Sequence, residues 1–169
     1  ARVPAGALLR TGAGAFVTLV MPDESRLTVQ PDSTARLEHL NGVSGFAGQH
    51  AEVYVERGRV ETKVEAQRGP AARYRIRTPS ASVTVRGTEF RVGADAIAHT
   101  AQTEVTGGEV AFDQAGVRAP TALPSGFGVV ARAGEPVPPP RPLLPAPSLA
   151  STPTRIEQVN FALPFGTVE

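Results

Sequence analysis

From Phe16 to Val130 apolar and polar residues alternate with a period of two, and turn-forming residues interrupt the alternation roughly every 8–12 positions. Arg26-Leu27-Thr28-Val29-Gln30 sends Leu27 and Val29 to one face, and Pro31-Asp32-Ser33 stops the run. Pro holds φ there, and the Asp or Ser side chain bonds nearby backbone. The pattern is cleanest between Val53 and Val64. Val53 and Val55 oppose Glu52, Tyr54 and Glu56; Val60, Thr62 and Val64 oppose Glu61, Lys63 and Glu65; Arg57-Gly58-Arg59 reads as the turn of a hairpin between them. The alternation resumes at Arg73-Tyr74-Arg75-Ile76-Arg77, Val83 and Val85, Phe90 and Val92, Val110 to Phe112, and Phe127 to Val130. An amphipathic helix needs apolar residues three and four apart, and no capped window supplies them. The expected fold is all-β, with about eight to ten short antiparallel strands and β-arches forming a sandwich or a solenoid-like domain. Gly58, Gly87 and Gly108 each stand shortly before an inward-facing apolar residue at unequal spacing. Successive arches fit that echo better than a regular repeat does.

Composition changes after Gly134. Seven of the twelve residues from Pro136 to Pro147 are Pro, which favours extended polyproline II. The expected division is a β domain over 1–134, a Pro-rich linker over 135–147, and a final segment over 148–169. That last segment carries Ile156, Val159, Phe161, Leu163 and Phe165 and is read as the start of a further domain or as an arm packed on the first. No apolar run approaches the ~18–20 residues of a bilayer span. The chain does not begin with Met and is expected to be part of a longer protein.

The absence of Cys excludes a disulfide framework, a thiolate metal site and a cysteine nucleophile. His39, His50 and His99 have no metal-ligand spacing, Ser44 and Ser125 lie outside any G-x-S-x-G elbow, and Asp23, Glu24 and Asp32 belong to turns. Neither an enzyme, nor a catalytic residue, nor a metal or cofactor is therefore expected. With 17 basic against 16 acidic residues, nucleic acid is not an expected partner either. One basic feature rises above this background. Alternation places Arg73, Arg75 and Arg77 in a row on one face of a single strand, about 7 Å apart. Such a row suits bidentate binding of carboxylates or phosphates, which makes these three the candidate partner-binding residues. The competing reading is that the row is only a solvated outer face paired with Glu52, Glu56, Glu61 and Glu65 of the hairpin, and that reading is preferred.

The stretch Thr78-Pro79-Ser80-Ala81-Ser82-Val83-Thr84-Val85-Arg86-Gly87-Thr88-Glu89-Phe90-Arg91-Val92 resembles the signature of the FecR family, T-P-x-A-x-V-x-V-R-G-T-x-F-x-V. The similarity extends from about Ala7 to Val130. Arg86, Gly87, Thr88, Glu89 and Phe90 form its structural motif, read from the residues as a corner of the fold. The resemblance implies an exported module of the periplasm or cell envelope of a Gram-negative bacterium. It further implies a non-enzymatic role in protein or cell-wall (peptidoglycan) interaction, of the kind found in multidomain proteins that combine the domain with LysM modules. The alternative it implies is the periplasmic sensor of a cell-surface signalling system that regulates a sigma factor.

Overall fold

The computed structural model describes residues 3–41, 50–65, 73–114, 117 and 119–144; the segment 148–169 lies outside the described residues. The strands are β1 (Leu8–Arg10), β2 (Val17–Val20), β3 (Arg26–Val29), β4 (Thr34–Asn41), β5 (His50–Lys63), β6 (Arg73–Arg77), β7 (Ser82–Val85), β8 (Glu89–Asp95), β9 (Thr100–Gly107), β10 (Glu109–Asp113), β11 (Thr121–Pro124), β12 (Phe127–Arg132) and β13 (Arg141–Pro142). No helix occurs among the described residues. The fold is all-β, with more strands than the alternation alone delimits and with one, β5, of 14 residues.

All thirteen strands form one hydrogen-bonded network that bends into two arms. The first arm runs β1-β4-β5-β6-β7-β10-β11 and the second β2-β3-β5-β8-β9-β12-β13, so β5 belongs to both. Only β5 and β6 pair in parallel among the described strands. The inward sides of the two arms meet in one core. Tyr74, Ile76 and Phe112 come from the first arm and Leu27, Phe90 and Val92 from the second, each at most 1% exposed.

Arg57-Gly58-Arg59 is not a hairpin turn. Strand β5 continues through it from His50 to Lys63; its first half pairs with β4 and β6, its second with β3 and β8. Buried positions shift phase along the strand, from Val53 and Val55 to Val60 and Thr62. A one-residue slip of this kind is what a bulge or bend produces, and it leaves the same alternating signature as a hairpin. Gly58 takes φ +88° at the bend. The chain also crosses between the arms at residues 11–16, 30–33, 86–88, 107–108 and 125–126. Neighbouring crossings are tied together: Thr11 N donates to Ser33 O at 3.0 Å, and Arg59 N donates to Ser33 Oγ at 2.9 Å. These are the arches that the spaced glycines suggested.

The described part of the Pro-rich stretch returns along the second arm. Arg141 and Pro142 pair with Gly128 and Phe127, Leu143 N donates to Gly126 O at 2.7 Å, and Val137 packs against the core. Pro suits an edge strand, since it lacks the donor that a further neighbour would need.

Tyr74 is fully buried and its hydroxyl meets no hydrogen-bond partner at ordinary distance among the described residues; burial, only partly offset by the Thr62 hydroxyl, pushes its pKa well above that of an ordinary phenol. The unfolded chain loses this proton near pH 10 while the folded chain retains it, so the ionisation of Tyr74 has no effect on stability below that pH and destabilises the fold progressively above it. Tyr74→Phe should melt at or slightly above the parent near neutrality, because it deletes an unsatisfied polar atom at nearly constant shape. It should also flatten the alkaline limb of the stability profile. A loss of more than about 1 kcal/mol at neutral pH would show that the hydroxyl is bonded after all.

Candidate functional site

Strand β6 lies inside the first arm between β5 and β7. Alternation buries Tyr74 and Ile76 completely and leaves Arg75 half-buried and Arg77 exposed on the outer side. Arg73 pairs with His50 through the backbone, and its side chain lies outside the described part. The parallel register sets Glu52 beside Arg75 and Tyr54 beside Arg77.

The arginine row is thus partly occupied by the protein itself. Arg77 Nη1 donates to Glu38 Oε2 at 3.1 Å and to Glu52 Oε1 at 3.4 Å, and its guanidinium lies 6.0 Å from the centre of the Tyr54 ring. Glu52 is nearly buried, 8% exposed, although its position in the alternation puts it on the outer side. The neighbouring strands and the Arg77 side chain cover it. Arg75 makes no ion pair with the described residues. Glu56, Glu61 and Glu65 do not join this row. Glu61 belongs to the second arm, where Arg91 lies 3.4 Å from Glu61 and 3.7 Å from Glu104, and Lys63 lies 3.0 Å from Glu89. Glu38 as a partner of Arg77 was invisible in the sequence, because 39 residues separate them. What the first arm offers a ligand is one half-buried guanidinium beside one that is already held by two carboxylates.

Arg86, Gly87 and Thr88 make the crossing from β7 to β8, and Glu89 and Phe90 open β8. Thr88 fastens the crossing on two sides. Its backbone exchanges hydrogen bonds with Val64, N to O at 3.1 Å and O from N at 2.9 Å, and its Oγ1 donates to Glu109 O at 3.0 Å. The crossing from β11 to β12 is tied on in turn, Ser125 N donating to Gly108 O at 2.9 Å. Phe90 is 1% exposed in the core, while Glu89 meets Lys63 at the surface. Thr88 and Phe90 of the motif thus hold backbone and core.

Among the grooves that open on the surface of the described residues, two are lined largely by apolar side chains. One, of about 340 Å³, lies between Val130 on β12 and the returning Pro138, Pro139 and Pro142. The other, of about 620 Å³, is lined by Val3, Leu19, Met21, Leu37 and Leu40 beside the edge of β2. Among the described residues no group of three or more His, Asp or Glu is placed to hold a metal ion, and no helix is long and apolar enough to cross a membrane.

The FecR protein family model matches residues 7–111, and the chain belongs to the FecR family. Two crystal structures of a candidate anti-sigma factor from Parabacteroides distasonis ATCC 8503 share the fold, each with a TM-score of 0.63 and 18% identity. Each superposition covers 80% of this chain and 59% of that one, so the chain spans little more than half of its structural neighbour. No curated protein matches the sequence.

Proposed function

We propose that the chain is the extracytoplasmic, protein-binding module of a signalling system that regulates a sigma factor. The observation that carries this reading is the FecR family match over 7–111, joined to a fold shared with a candidate anti-sigma factor. The module works in the periplasm or at the envelope and acts by binding a protein rather than by catalysis; nothing in its relatives speaks for peptidoglycan. The signalling reading therefore takes precedence over a purely architectural one. In the full-length protein, deletion of residues 7–111 should change transcription of a set of genes sharing one promoter type by several fold. An unchanged transcriptome would overturn the signalling role and leave an architectural envelope module.

The partner contact is assigned to the outer side of β6, where Arg75 and Arg77 would meet a carboxylate-bearing surface, with Arg73 as the third candidate from the sequence. Arg77 contributes by exchanging its internal carboxylates for those of the partner. Replacing all three with Gln should weaken capture of that partner at low salt by about tenfold, the effect of two exposed charge contacts of roughly 0.7 kcal/mol each. The loss should shrink at high salt, since exposed charges are screened. Equal capture by parent and variant would reduce the row to a solvated face.

A further inference from the structure

Four of the described strands lie outermost in the network, and β2 is the one among them whose edge is unguarded. Strand β13 is Arg-Pro, β11 follows Pro120 and ends in Pro124, and β1 has three residues ending in Arg10. Such prolines and charges protect sheet edges from further pairing. The β2 segment carries neither, and Phe16 and Val20 along it are 67% and 66% exposed. Met21 N donates to Ser25 O, so Val17, Leu19 and Met21 bond towards β3, and alternation turns the N–H and C=O of Thr18 and Val20 away from it. No described strand pairs with that outer side. Beside it runs the groove of about 620 Å³ whose lining includes Leu19, Leu37 and Leu40.

We infer that this edge pairs with the same edge of a second copy of the chain, antiparallel and with Thr18 at the two-fold axis. A two-fold contact has to be self-complementary. Phe16-Val17-Thr18-Leu19-Val20 meets that condition, because it reads alike in both directions from Thr18: an aliphatic residue one position away and a large apolar one two positions away. Thr18 faces Thr18 of the second copy, and their outward N–H and C=O groups bond each other. Val20 faces Phe16 of the second copy, and Phe16 faces its Val20. Aromatic and β-branched side chains stabilise neighbouring strands when paired in this way, and the pairing covers the two side chains left most exposed along the edge. On the inner side Val17 and Leu19 meet Leu19 and Val17 of the second copy, which extends the apolar lining of the groove. Charge selects the antiparallel arrangement. The acidic turn Asp23-Glu24 lies at one end of β2. Antiparallel pairing sets it towards the uncharged residues 12–15 of the second copy, whereas parallel pairing would set two acidic turns together, like charge against like. The contact is one strand wide on each copy, which places it among small, reversible interfaces of less than about 1,200 Å². The association is therefore weak and depends on concentration.

In the 169-residue chain, the mass measured by sedimentation equilibrium should rise from one copy towards two between about 10 μM and about 1 mM. Val20→Lys puts a charge at the seam on a side chain outside the core. It should abolish the rise while keeping the parent's melting temperature at low concentration. Val130→Lys, at an exposed position on β12, is the comparison and should leave the rise unchanged. The chain contains no Cys, so a single introduced thiol reports on the axis. Backbone-bonded neighbours on antiparallel strands have Cα atoms about 5.5 Å apart, within reach of a disulfide. Thr18→Cys should therefore cross-link to its own counterpart under mild oxidation about tenfold faster, or more, than Thr28→Cys. Residue 28 lies one strand further from the axis on each copy, about 14 Å from its counterpart. A parent that stays single throughout the range would overturn the proposal, as would association of Val20→Lys equal to the parent's, or equal cross-linking of the two Cys variants. Slow exchange of the Thr18 and Val20 amides that is the same at every concentration would overturn it in favour of a cover within one chain. None of these outcomes depends on whether the protein signals, so they are separable from the transcriptional test.

Discussion

Gly58→Val should destabilise the domain by about 3 kcal/mol or more and lower its melting temperature by roughly 10 °C. Two effects add at this position. Gly58 has φ +88°, which a β-branched residue adopts only with strain. A Cβ there would also overlap the Ser33 Oγ and approach the Ser33 Cα to 2.6 Å, and that neighbour is backbone that cannot swing aside. Ser33 is itself held, its N accepted by Thr11 Oγ1 at 3.0 Å and its Oγ accepting from Arg59 N at 2.9 Å. Displacing it loosens three crossings together. Gly126→Ala is the control, since Gly126 has φ +84° but nothing within 4 Å of an added Cβ. Its cost should be limited to the backbone strain, about 1–2 kcal/mol. Equal losses for the two variants in denaturant unfolding would show that close packing of Ser33 on the bend contributes nothing.

Phe90→Ala should cost about 3–5 kcal/mol, the usual range for deleting a buried aromatic ring. Phe90 is 1% exposed and pairs through β8 with Thr62 of β5 and Val105 of β9, at the centre of the second arm. The cavity left behind has rigid walls, because the flanking positions belong to paired strands. Calorimetric melting should fall by roughly 10 °C or more. Glu89→Gln, on the exposed side of the same motif, removes one exposed ion pair with Lys63 and should shift melting by a small fraction of that. If Phe90→Ala melted within a degree or two of the parent, the site would have collapsed around the lost ring, and the motif's Phe would need a role outside the core.

Local alternation was enough to establish that the chain is all-β, that Leu27, Val29, Val83, Val85, Phe90 and Val92 face inward, and that Arg75 and Arg77 lie opposite Tyr74 and Ile76. Those facts follow from two-residue periodicity, which a strand carries whatever its neighbours are. The FecR signature was equally legible, because its residues are contiguous. Pairing was not. A bent strand and a hairpin leave the same alternation around Gly58, and only the strands that flank β5, drawn from residues 26–29, 34–41, 73–77 and 89–95, distinguish them. The ion pairing of the arginine row was hidden for the same reason. Glu38 and Glu52 reach Arg77 only because β4 and β5 are laid beside β6, across separations of 39 and 25 residues. Face is a property of the strand, whereas register and partner are chosen by burying both arms against one core, and that choice exists only in the folded chain.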